Sequence, residues 1–127
     1  MTVQEFQADK IEGTAKLLAF WLGAMPEDKQ SWVPEIEGAA GLRNARELVA
    51  ECAAANRFFT ALLRGEKPAL FRPFEIKSEY ASLEEAQQDL IASAAECAAA
   101  IRGMSDADLE KEYRLRWPMM EIGRAHV

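Results

Sequence analysis

The stretch "NARELVAECAAANRFFTALLRG", residues 44–65, decides the fold class of this chain. It has no internal proline or glycine, and its apolar residues recur at the three- and four-residue spacing of one helical face. Asn44 can cap the helix while Glu47, three residues on, reaches back to the cap, and Gly65 marks its end. The pattern predicts an amphipathic helix. Its central stripe is Ala45, Leu48, Val49, Cys52, Phe59 and Leu63, and Glu51 lies on a flank of that stripe with Ala55, Phe58 and Leu62.

Two further long helices flank this one in the sequence. The first, about Val3 to Gly23, is followed by Pro26 and a connection over residues 26–43, in which Trp32 and Val33 are expected to pack onto the core. The third opens with Ser82 and Glu85, a capping box, and closes at Gly103. Their predicted buried faces are Gln7, Ile11, Thr14, Ala15, Leu18, Leu22 and Met25 in the first helix, and Leu83, Ala86, Leu90, Ala94, Cys97 and Ile101 in the third, with Ser93 at the margin.

The chain continues with a short capped turn and a final segment. Ser105 with Asp108 predicts a turn of helix ending near Tyr113, and Pro118 is well placed in the first turn of a last helix. The nine residues after Pro118 extend only about 15 Å as a helix, against about 30 Å for each long helix. The sequence therefore predicts an all-α, up-down helical bundle with three long helices and a shortened fourth, in a single domain over residues 1–127. Such a bundle leaves an apolar groove along its side.

Composition excludes several classes of function. The net charge is −6 and the pI about 4.9, with acids and bases interspersed, so we expect no nucleic-acid binding. No apolar run approaches the roughly 18 residues that span a bilayer, and the N-terminus lacks the pattern of a secretory signal. Cys52 and Cys97 are predicted to be reduced, buried core residues. We expect a cytoplasmic protein that does not bind membranes.

The order of these features resembles the DinB/YfiT-like family of four-helix bundles. The resemblance rests on the block "PEDKQSWVPEIEGAAGLRNARELVAECAAANRFFTALLRG", the capped helix in "SLEEAQQDLIASAAECAAAIRGMSDADLEKEY" and the entry "RWPMMEIGRAHV". It implies a divalent metal, zinc or nickel, held by a histidine of the second helix and histidines of the last. Glu51 stands at the second-helix position, and His126 is the only histidine. These two residues are the predicted metal ligands, but because further histidines are missing we expect the metal to be absent.

Two functions follow from the resemblance and the pattern together. The first is an enzyme of the family's type, which the resemblance associates with metal-assisted transfer or isomerisation of a low-molecular-weight thiol. The second is a metal-free helical module, or a fragment of a longer protein, that forms a homodimer by covering its open groove with another copy. Domain swapping of the last segment, hinged near Trp117 and Pro118, is one form of that dimer. Metal content and molecular mass distinguish the two functions.

Overall fold

A computed structural model describes residues 1–39, 41–69, 71–72 and 76–112 of the chain. Within these ranges the structure is helical: α1 spans Val3–Ala24, α2 Ala45–Leu63, α3 Leu83–Arg102 and α4 Asp106–Leu109, with a 3₁₀ turn at Glu27–Lys29. The predicted all-α bundle with three long helices is confirmed, and α4 is the short capped turn predicted after Ser105 rather than the shortened last helix. The turn predicted to end near Tyr113 ends at Leu109, and the final segment from Tyr113, including Trp117, Pro118 and His126, lies outside the described residues.

Local capping explains where the helices begin. Asn44 accepts a hydrogen bond from the Glu47 amide at 2.9 Å, and the Glu47 carboxylate accepts one from the Asn44 amide, which completes the predicted capping box. At α3 the predicted box is only half made. Ser82 caps the Glu85 amide, whereas the Glu85 carboxylate accepts from the amide of Ala81 rather than from that of Ser82. Gly65 follows α2 with φ of +79°, a left-handed conformation that favours glycine.

The central helix of the bundle is α3, and both α1 and α2 pack along it. At one end Gln87 donates to the carbonyl of Ala19 at 2.8 Å, and at the other Arg102 pairs with Asp9 at 2.8 Å, so α1 and α3 are antiparallel. The N-termini of α2 and α3 line adjoining cavities at the same end of the bundle. Therefore α2 and α3 run parallel, so the predicted up-down alternation holds from α1 to α2 but not from α2 to α3, which a long connection joins.

A long connection makes the parallel arrangement of α2 and α3 possible. Residues 64–82 must return over the length of α2, about 28 Å at 1.5 Å per residue, which an extended segment of this length covers. Phe71 fixes the connection from one side, because it is 7% exposed and its ring lies 5.4 Å from that of Phe58. Tyr80 fixes it from the other by donating to the Asp89 carboxylate at 2.7 Å.

The core lies between α3 and the two helices that flank it. Alanine dominates the contact with α1, and Leu90 of α3 is the largest fully buried apolar side chain. Small side chains at these positions permit the helix axes to approach closely. The cluster that joins the three long helices is Ala15, Ala19, Leu22, Val49, Ala86, Leu90 and Ala94.

The loop between α1 and α2 is held by a polar residue, not by the aromatic one that the sequence predicts. Trp32 is 58% exposed and Val33 is 36% exposed, so the expectation that they pack onto the core is wrong. Gln30 is 3% exposed instead: its amide nitrogen donates to the Met25 carbonyl, and its oxygen accepts from Arg46 at 3.0 Å. A tight 3₁₀ turn at Glu27–Lys29 directs Gln30 inward and leaves Trp32 outside.

Asp89 links α3 to α2 and to the connection before α3. It accepts hydrogen bonds from Arg57 and Tyr80, and Arg57 holds the pKa of the Asp89 carboxyl below its usual value. A lowered pKa in the folded state stabilises the fold above the unfolded pKa of about 3.8, and this contribution disappears as the pH falls through the folded pKa. Because Arg57 is half exposed, the contribution is modest.

We expect Asp89→Asn to lower the free energy of unfolding by about 1 kcal/mol at pH 7. The difference from the wild type should shrink below pH 4, where the wild-type carboxyl becomes protonated as well. Urea denaturation of both proteins at pH 7 and pH 3 measures it. Glu37→Gln, an exposed change in the 26–43 loop away from Arg57, is the control, and a difference between wild type and Asp89→Asn that is equal at both pH values would contradict the assignment.

Candidate functional site

An open groove runs between α1 and α2, with α3 as its floor. The two flanking helices make few close backbone contacts with each other, which leaves about 270 Å³ of space between them. Leu90 contributes to the floor. The walls carry Lys10, Ile11, Thr14 and Leu18 from α1, and Cys52 and Asn56 from α2. We call this feature the α1–α2 groove.

Part of the predicted apolar stripe of α2 lies beside this groove and is exposed, rather than packed against α3. Leu48 is 49% exposed and Phe59 is 37% exposed, whereas Val49, Ala53 and Thr60 are buried against the bundle. Cys52 lies on the same face as Leu48 and is exposed. The prediction that Cys52 is a core residue is therefore wrong, while that for Cys97, which is 4% exposed, is confirmed.

A hydrogen-bonded pair joins Asn56, in the wall of the groove, to Ser93 of α3. The Asn56 amide donates to the Ser93 hydroxyl at 3.1 Å, and that hydroxyl donates to the Leu90 carbonyl at 3.0 Å. Ser93 is 1% exposed, so the pair satisfies a buried hydroxyl between α2 and α3. The sequence places Ser93 only at the margin of the buried face and does not single out Asn56.

Glu51, the first predicted metal ligand, lies at the edge of α2 in an ion pair with Arg43. The Arg43 side chain is 11% exposed and that of Glu51 28% exposed, so the pair is largely shielded from water. Arg43 comes from the loop before α2, eight residues earlier in the chain. Sequence patterns do not identify this arginine, because its position depends on the path of the 26–43 loop.

The thiol of Cys52 is adjacent to this ion pair. Although Cys52 is exposed, neighbouring groups partly shield its thiol from water, and this partial burial raises the thiol pKa. The Glu51 carboxylate raises it further, and Arg43 opposes both effects. The thiol therefore stays protonated at neutral pH. Because the thiolate is the form that attacks electrophiles and binds metals, Cys52 is poorly suited to either role.

The described residues around Glu51 do not fit a divalent metal. The Arg43 guanidinium binds the carboxylate that would serve as the ligand, and a metal would have to displace this shielded cation. A catalytic zinc site needs about three protein ligands, and within the described ranges no group of three His, Cys, Asp or Glu side chains is placed to hold an ion. The second predicted ligand, His126, lies outside the described residues, so the pairing of Glu51 with His126 stays a prediction.

A second concave region lies at the end of the bundle where α2 and α3 begin. Two adjoining cavities, of about 380 and 470 Å³, are lined by polar groups that include Glu27, Gln30 and Arg46. Arg46 donates two hydrogen bonds to the Gln30 oxygen, at 3.0 and 3.3 Å. The two helix N-termini here are already capped by Asn44 and Ser82. Arg46, Gln30 and the amides that begin α2 and α3 therefore already have hydrogen-bond partners within the chain.

The fold and the groove define a class of protein: a helical bundle whose three long helices leave one side open. A family model of the DinB superfamily matches residues 10–127. The chain belongs to the DinB superfamily, as its sequence pattern predicts. No curated protein and no solved structure matches the chain. Over the described residues, no helix has both the length and the apolar character that crossing a membrane requires.

Proposed function

We propose that this DinB-superfamily chain is a metal-free helical module that acts by self-association. The observation that carries the proposal is the Arg43–Glu51 ion pair at the second-helix position where the family resemblance implies a metal ligand. A guanidinium at that position neutralises the carboxylate and adds a positive charge where a metal would bind.

The surface of the described bundle supports association as its activity. Large apolar side chains remain exposed on α1 and on the groove face of α2, including Trp21 at 61% and Leu48 at 49%. Contiguous apolar surface beyond a few hundred Å² marks interaction sites on soluble proteins. The alternative, metal-assisted transfer or isomerisation of a small thiol, has no comparable support among the described residues.

We expect zinc and nickel to leave the melting temperature unchanged. A metal that binds the native state at 100 times its Kd stabilises that state by about 2.7 kcal/mol, which raises the melting temperature of a domain of this size by roughly 10 °C. Scanning calorimetry with and without saturating metal measures the shift. Glu51→Gln is the matched control, because it removes the carboxylate charge with almost no change of shape. If metal raises the melting temperature of the wild type but not that of Glu51→Gln, Glu51 binds metal and the proposal is contradicted. If metal raises both melting temperatures equally, the chain binds metal at a site other than Glu51, and the metal-free part of the proposal is contradicted.

Self-association has a separate readout. We expect the chain, 14.2 kDa as a monomer, to sediment at twice that mass at micromolar concentration. Sedimentation equilibrium over a hundredfold dilution measures the mass and its concentration dependence. A single species at the monomer mass throughout would refute the association proposal, whatever the result with metal.

A further inference from the structure

Helix α1 is apolar on two opposite faces. One face, with Ala8, Ala15, Ala19 and Leu22, is buried against the bundle. The opposite face points away from α3 and follows the alternating three- and four-residue spacing of a coiled-coil seam. We call it the outer face of α1. It comprises Val3, Phe6, Gly13, Leu17 and Phe20, and Lys10 lies at its edge beside the α1–α2 groove.

The outer face is exposed although most of it is hydrophobic. Phe6 is 50% exposed, Leu17 56% and Phe20 66%, and Trp21 at the margin is 61% exposed. With Val3, these side chains present on the order of 500 Å² of apolar surface, since a large aromatic side chain has about 150–250 Å². A standard interface buries about 800 Å² on each partner, and rather more than half of that area is apolar. The outer face therefore supplies the apolar area that one side of a stable dimer needs.

The centre of the outer face suits close approach of a second helix. Gly13 is exposed, and a Cβ atom built on it meets no other atom within 4 Å. Phe6 and Phe20 lie seven residues to either side of it. In an antiparallel pair of α1 helices that cross at Gly13, Phe6 of each copy lies opposite Phe20 of the other, and the missing side chains at the crossing permit the backbones to approach.

Charge favours the antiparallel over the parallel direction. Asp9 and Lys16 lie on one flank of the outer face, on either side of Gly13. An antiparallel pair sets Asp9 of one copy near Lys16 of the other, whereas a parallel pair places the two copies of this flank on opposite sides of the contact, where these charges do not pair. Asp9 also pairs with Arg102 of α3, which holds its carboxylate in place. A two-fold axis near Gly13 therefore pairs Phe6 of each copy with Phe20 of the other and sets Asp9 of each copy near Lys16 of the other.

We propose that a second copy of this chain covers the outer face of α1, with the two α1 helices antiparallel and crossing at Gly13. This inference rests on the proposed function and deepens it by naming the surface that associates. The contact is isologous, so each copy presents the same residues and the assembly closes as a dimer.

Charged substitutions at three surfaces test which one associates. We expect Leu17→Glu to sediment as a monomer at concentrations where the wild type is a dimer, with at least a hundredfold weaker association. Ile36→Glu, an equally exposed change in the 26–43 loop, should leave the dimer intact. If Leu17→Glu stays dimeric and Leu48→Glu on the groove face of α2 is a monomer, the outer-face inference is overturned while self-association stands. If the wild type is a monomer, both the outer-face contact and the proposed self-association are overturned.

Cross-linking tests the direction of the helices. In a Cys52→Ser background, which removes the exposed thiol, Gly13→Cys should form a disulfide-linked dimer under mild oxidation. Val3→Cys in the same background should stay uncross-linked, because an antiparallel pair places the two copies of residue 3 at opposite ends. Efficient cross-linking through Val3→Cys would overturn the antiparallel arrangement, whatever the result for Gly13→Cys, because a parallel pair cross-links through both positions.

Discussion

Leu90→Ala is expected to lower the free energy of unfolding by about 3 kcal/mol. Leu90 is 2% exposed and belongs to the cluster that joins α1, α2 and α3. Truncation removes its contacts with both flanking helices and leaves a cavity, because backbones held apart by alanine side chains cannot move much closer together. Urea denaturation followed by circular dichroism measures the change.

The neighbouring residue supplies the matched control for this prediction. Ile91 loses a similar volume on replacement by alanine, but it is 36% exposed on the outer side of α3. We expect Ile91→Ala to cost less than about 1 kcal/mol. Equal losses for Leu90→Ala and Ile91→Ala would mean that the core does not lie between the three long helices as described.

Ala94→Leu is expected to cost about 1–3 kcal/mol for the opposite reason, because it adds volume where none is available. Ala94 is 1% exposed in the same cluster. A larger side chain there would push α3 away from its neighbours and loosen the other alanine contacts along the helix. Thermal denaturation and urea denaturation of the purified variant measure the effect.

The control for Ala94→Leu is Ala95→Leu, one residue further along α3. Ala95 is exposed, so leucine adds volume only toward solvent and changes helix propensity little. We expect its unfolding free energy to match the wild type within about 0.5 kcal/mol. If Ala94→Leu proved as stable as Ala95→Leu, close packing of α3 through alanine would be contradicted.

These core predictions bear on function because the alanine contacts and the exposed apolar surfaces lie on the same helices. Ala15 and Ala19 face α3, while Leu17 and Phe20 face away from it. The fold of the monomer thus uses the small side chains of α1 and leaves the large ones outside. A substitution on the outer face should therefore alter association without altering the core, which is what makes Leu17→Glu informative.

Much of the candidate site lay beyond prediction from the sequence. The pattern places Glu51 on the flank of a helical stripe, and the structure finds it there at 28% side-chain exposure. Its partner Arg43 could not be identified, because the 26–43 connection has no periodic pattern that fixes which residue meets α2. The same holds for Gln30, a polar residue whose burial depends on one 3₁₀ turn.

Helix positions and limits were determined by the sequence itself. The predicted first helix, Val3 to Gly23, differs by one residue from the observed Val3–Ala24, and Asn44 and Ser82 cap α2 and α3 as expected. These features depend on interactions within four residues along the chain, such as caps, glycine conformations and proline positions. Such short-range energetics require no knowledge of the partner helices.

The predicted buried face of α3, with Ala86, Leu90, Ala94 and Cys97, is confirmed, but only the tertiary structure decided which residues of α1 and α2 are buried. The stripes predicted from the largest apolar residues include Leu18, Leu48 and Cys52, and all three are exposed, beside or along the α1–α2 groove. The faces that pack on α3 are rich in alanine and include Ala8, Ala19 and Ala53. Hydrophobic periodicity weights side chains by size, whereas close helix contact depends on how near two backbones can approach. That distance is a property of a pair of helices, and a single segment of sequence does not contain it.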